Sequence, residues 1–111
     1  MVIDDDALVR ATVAEMLEDL CDEVYQAADG VEGLELLREH TDIALVVTDI
    51  AMPRLDGLAF ARRARRLQPD LKVLFVSGRQ RPPISEEFLE KPFRWRALVS
   101  AVAHLLETQA P

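Results

Sequence analysis

Short apolar stretches alternate along this chain with segments whose apolar residues recur every three to four positions. Met1, Val2 and Ile3 read as a first strand, closed by Asp4, Asp5 and Asp6. Over residues 7–20, Val9, Val13, Met16, Leu17 and Leu20 fall at helical spacing. Residues 24–27 are the second strand candidate. Asp29 and Glu32 have capping-box spacing and predict a helix to about His40, with Val31, Leu34 and Leu37 on its core face. Residues 43–48 are almost continuously apolar and β-branched, the pattern of a strand covered on both faces. Asp56 is a suitable N-cap for a helix over 57–67, with Pro69 just beyond its end. Residues 72–77, holding Val73, Leu74, Phe75 and Val76, predict a fourth buried strand, and residues 88–90 a short fifth. Pro92 and Phe93 then lead into a helix with Leu98, Val102 and Leu105 on one stripe.

Strands alternating with helices imply βαβ units and a parallel sheet. In open sheets of this kind ligands bind outside the carboxyl ends of the strands, near a topological switch point. The acids Asp4 to Asp6 end strand one, Asp49 ends strand three, Ser77 ends strand four and Lys91 follows strand five. Four chemically useful positions are thus expected to converge on one edge.

Composition narrows the class. With 111 residues, the chain is expected to form one domain, over 1–111, that buries a core without disulfides or a structural metal. No apolar run reaches the length of a membrane span, and no signal peptide is recognised. The single Cys21 has no internal disulfide partner, which fits a reducing, cytoplasmic setting. A net charge of −7 argues against direct nucleic-acid binding. Against that background Arg54, Arg62, Arg63, Arg65 and Arg66 are read as a solvated face along one helix. His40 and His104 are read as surface residues of their helices.

Asp4, Asp5 and Asp49 would form a compact carboxylate cluster. Two full charges roughly 5 Å apart repel by about 3 kcal/mol at an effective dielectric near ~20. Such a cluster takes up a proton or binds a cation. Oxygen ligands without Cys or His select Mg²⁺ or Mn²⁺ over zinc. Phosphoryl transfer asks a protein mainly for positioning and charge neutralisation. With a cation, Lys91 and the Ser77 hydroxyl around the phosphoryl oxygens, Asp49 would be the in-line nucleophile.

These motifs, in order, give the chain a resemblance to the receiver domain of two-component response regulators. The matching pieces are Ile3 to Asp6, Asp49 to Pro53 with Leu55, Asp56 and Gly57, then Val76 to Gly78, and Lys91 to Phe93. The resemblance implies a flavodoxin-like, doubly wound α/β fold with five parallel strands in the order 2-1-3-4-5. It implies that Asp49 is the phosphoacceptor, that Asp5 binds Mg²⁺ directly and that Asp4 assists through water, with the Ala51 carbonyl as a further ligand. Ser77 would be the switch hydroxyl, Lys91 its ion-pair partner and Phe88 the switch aromatic. A cis peptide at Lys91–Pro92 is implied too. The implied partners are a sensor histidine kinase or histidine phosphotransfer protein and an output partner, with no nucleic acid and no membrane. Such a domain is not an enzyme beyond its own phosphorylation and dephosphorylation.

One departure from the family stands out. Only ten residues, 78–87, separate strands four and five, and they include Pro82 and Pro83. A parallel crossover usually needs a dozen or more. The fourth helix is therefore expected to be shortened or replaced by a loop, or by a single turn near 84–87, with Ile84 over the core. Phe88 lacks a hydroxyl and is expected to be buried. Arg94 stands where a capping Ser, Thr or Asp is usual, and Arg79 would border the site. Two other readings compete. A degenerate receiver would bind partners without phosphorylation. A haloacid-dehalogenase-like phosphatase would use the Asp4-x-Asp6 spacing, although Leu8 breaks that motif.

Overall fold

A computed structural model describes residues 1–78 and 87–107. Five strands and, among the described residues, four helices follow in the order β1 (Val2–Ile3), α1 (Ala7–Leu17), β2 (Gln26–Ala27), α2 (Gly30–Glu39), β3 (Leu45–Asp49), α3 (Gly57–Leu67), β4 (Lys72–Ser77), β5 (Phe88–Glu90) and α4 (Trp95–Glu107). All pairings are parallel, and the strand order is β2-β1-β3-β4-β5, as expected. The expected loss of the crossover helix, and the placement of Arg79 and Ile84, lie outside the described residues.

Each face of the sheet carries its own core, which explains the continuously apolar strands. Ile3, Val46, Val73 and Phe75 point to one face and pack with Leu34, Leu37, Phe60 and Ala64 from α2 and α3. Their neighbours Val2, Val47, Leu74 and Val76 point to the other face and meet Val13, Leu17, Leu98 and Val102 from α1 and α4. A period-two alternation between two covered layers leaves β3 and β4 apolar except for the buried Thr48 and the strand ends. Fully burying one such side chain contributes about 1.5–3 kcal/mol, an upper estimate against a compact unfolded chain.

Boundaries moved in three places. The first helix ends at Leu17, so Leu20 lies beyond it and is 41% exposed rather than on its core face. The second strand shortens to Gln26–Ala27, and the third runs Leu45–Asp49 while Ile43 stays buried ahead of it. Arg54 precedes α3 and is not part of its basic face. His40 is half-buried and caps the C-terminus of α2, its ring stacked on Tyr25 with centroids 4.2 Å apart, so it is no plain surface residue.

Candidate functional site

The site is built at the carboxyl ends of β1, β3, β4 and β5. β1 delivers Asp4, whose N–H donates to the Ala27 carbonyl of β2 at 3.2 Å and whose side chain is buried. Asp4 Oδ1 accepts from the Asp6 N–H at 2.9 Å, and its carbonyl accepts from Arg10 Nη1 at 2.8 Å. The third acid of the run, Asp6, turns away and caps α1 by accepting from the Leu8 and Val9 N–H groups. Asp5 is exposed at the rim. Asp49 closes β3, and its Oδ1 accepts from the Ile50 N–H at 2.7 Å.

Lys91 joins the first and third strand ends. Its Nζ donates to Asp4 Oδ2 at 2.9 Å and to Asp49 Oδ2 at 3.1 Å. Burial works to lower the lysine pKa, but the hydrogen bonds and charges of Asp4 and Asp49 outweigh it and hold it above its ordinary value. The backbone N–H of Lys91 donates to the Ser77 carbonyl at 2.8 Å, so the buried Ser77 at the end of β4 lies directly alongside. The Lys91–Pro92 peptide is cis.

Ligand oxygens of Asp4, Asp5 and Asp49 lie within 4.8 Å of one another. Three hard oxygen donors in that space suit Mg²⁺ or Mn²⁺, and the Lys91 ammonium offsets only part of their charge. Ala51 is exposed in the loop that follows β3, two residues past Asp49. Phe88 is half-buried rather than buried, with its ring against the core on the α2 and α3 side.

The loop between β3 and α3 is held closely. Gly57 N–H donates to the Ile50 carbonyl at 2.8 Å, and a Cβ at Gly57 would lie 2.2 Å from the Asp49 carbonyl oxygen. Only glycine allows this approach of α3 to the end of β3. Arg54 has φ 67°, and the Leu55 N–H donates to the Pro53 carbonyl at 2.8 Å. That is a three-residue turn of the rare, strained hand, which costs a non-glycine residue about 1–3 kcal/mol. Arg54 Nε and Nη2 both donate to Asp29 Oδ2, at 2.9 and 2.7 Å. The Glu32 N–H and then the Arg54 guanidinium hold the Asp29 carboxyl below the usual carboxylate range, against the opposing effect of burial. Sequence reasoning took Asp29 for a cap and Arg54 for a helix-face charge, and missed this pair. A signal was present: an N-cap at Asp56 already excludes Arg54 from the helix that it caps.

Beside the site, Lys91, Pro92 and Phe93 border a mainly apolar groove of about 450 Å³. Its opposite wall is α1, through Leu8, Val9, Thr12 and Met16. Leu8 is 77% exposed there.

Residues 1–103 match the response regulator receiver domain. The chain belongs to that family. The receiver is similar to the response regulator receiver protein CpdR of Brucella abortus, at 32% identity over 96% of this chain and 94% of CpdR. It is also 33% identical to the sensor kinase CckA of the same species, over 98% of this chain but only 12% of the kinase. The crystal structure of a response regulator receiver protein from Sinorhizobium medicae superposes with a TM-score of 0.87 at 30% identity, covering 98% of this chain and 94% of that one. Among the described residues, no helix of the receiver is long and apolar enough to cross a membrane.

Proposed function

We propose that this receiver takes a phosphoryl group onto Asp49 from a phosphohistidine, with Mg²⁺ or Mn²⁺ held by Asp4, Asp5, Asp49 and the Ala51 carbonyl. The observation that carries the reading is the meeting of Asp4 and Asp49 on one lysine, with Asp5 and Ser77 beside them. Asp49 Oδ2 attacks phosphorus in line, the P–N bond breaks, and the imidazole leaves with its electron pair and takes a proton. A cation held there would supply charge neutralisation for the phosphoryl oxygens. As Asp49 Oδ2 becomes part of the new bond, Lys91 is free to pair with a phosphoryl oxygen. Ser77 would offer its hydroxyl to another, and Phe88 would report the change by its rotamer. The donor is a sensor histidine kinase or histidine phosphotransfer protein, docking along the groove between α1 and Phe93 in the cytoplasm. The receiver acts on no other substrate, and its output is a change of partner.

The acids, serine and lysine are all present and converge, which disfavours a degenerate module. A phosphatase working from Asp4 is disfavoured because its side chain is only 4% exposed, against 14% for Asp49. Incubation with Mg²⁺ and a small acyl phosphate should add a single phosphoryl group, detected by mass. Asp49→Asn should abolish it. An undiminished adduct in that variant, or none on the wild type, would overturn the assignment.

A further inference from the structure

The loop after β3 is pinned at two points. At its start the Gly57 N–H grips the Ile50 carbonyl, and near its end the Arg54 guanidinium grips Asp29 at the head of α2. Ala51 lies between the two anchors. Both oxygens of Asp29 are committed, Oδ2 to Arg54 and Oδ1 to the Glu32 N–H at 2.9 Å. The next residue, Gly30, lets the loop come close: a Cβ there would stand 2.8 Å from the Leu55 carbonyl oxygen. The Arg54 side chain is 60% exposed and that of Asp29 11%. With the guanidinium this open to water the pair adds little to global stability, yet its arginine is a non-glycine residue at positive φ. Strain kept by a specific contact beside a reactive site indicates a role for that contact in the site.

We propose that Arg54 is a positioning residue for phosphoryl transfer, latching the loop after β3 to Asp29 so that the Ala51 carbonyl is held for the cation. This rests on the cation-assisted reading above. Outer-shell partners of a metal site orient its ligands, and losing one typically lowers metal affinity about tenfold or more. Arg54 touches neither the phosphoryl group nor the cation. Its removal should therefore weaken cation binding and leave the chemistry at saturating cation nearly unchanged.

Four variants separate the latch from a merely structural pair. Arg54→Asn tolerates the left-handed backbone and removes the guanidinium. Arg54→Lys keeps the charge without the fork. Asp29→Asn keeps an oxygen for the Glu32 N–H and removes the negative charge, and the fourth is the double variant Arg54→Asn/Asp29→Asn. Mg²⁺ alone is titrated by calorimetry, and the adduct rate is followed against Mg²⁺ concentration with a small acyl phosphate. Expected is a loss of Mg²⁺ affinity of about tenfold in Arg54→Asn, a partial return in Arg54→Lys, and a double variant no worse than either single one. Adduct rates at saturating Mg²⁺ should stay within about twofold, since only positioning of the cation changes. Unchanged Mg²⁺ affinity in Arg54→Asn, or single effects that simply add, would overturn the latch while the wild type still binds Mg²⁺ and forms adduct. A wild type that does neither would overturn the proposed function and the latch together.

Discussion

Lys91 shows how one side chain sets the electrostatics of the whole edge. Its ammonium lies 2.9 Å from Asp4 and 3.1 Å from Asp49, and its own backbone holds Ser77. Lys91→Met would leave the buried Asp4 with the Asp6 N–H alone, and urea melts should show a loss of about 1–3 kcal/mol. The pH dependence follows from the raised lysine pKa. Folding keeps the proton on Lys91, so its contribution is full below the unfolded lysine value of about 10.4. It disappears as pH rises through the higher folded value. The difference between wild type and Lys91→Met should therefore hold from neutral pH to about 10 and shrink above it. Tyr25, pushed up to about 12 by its hydrogen bond to Glu23, also costs the fold stability above about pH 10, but it does so in both proteins and cancels in their difference.

At the scale of elements, the junction of β3 with α3 is the tightest constraint on the site. Gly57→Ala would drive a methyl group against the backbone of Asp49, which cannot rotate aside. Expected are a destabilisation of about 1–3 kcal/mol in urea melts and slower adduct formation than in wild type. Most elements were legible because their signals are local. Asp56 followed by amphipathic Gly57–Leu67 fixed α3 to the residue, and unbroken apolar runs marked β3 and β4. The convergence of Asp4, Asp49, Ser77 and Lys91 at the strand ends could be read in the same way, because it follows from the strand order. Leu20 misled because helical spacing carries no information on where a chain leaves the helix. The pairing of Arg54 with Asp29, 25 residues apart, depends on how α2 meets the loop, which no periodicity encodes. Phe88 has a core-like side chain, but its short strand at the sheet edge leaves it half-covered.

At the scale of the molecule, two half-cores share one sheet, and the carboxylates sit where the strands of both layers end. A ligand of that edge binds only the folded chain. Saturating Mg²⁺ should raise the melting temperature in calorimetric scans, corresponding to about 2.7 kcal/mol at a hundredfold excess over the dissociation constant. A chelator should return it, and no shift at millimolar Mg²⁺ would count against the cation site. The bond from Lys91 to Asp4 spans 87 of the 111 positions. Contacts this distant along the chain form only after loop closure has been paid for by nearer ones. Under the proposed function, competence to accept a phosphoryl group should therefore come late in folding. A chain that has made its first three strands but not its last holds Asp49 without Lys91 beside it, and on that reading should not yet form the adduct.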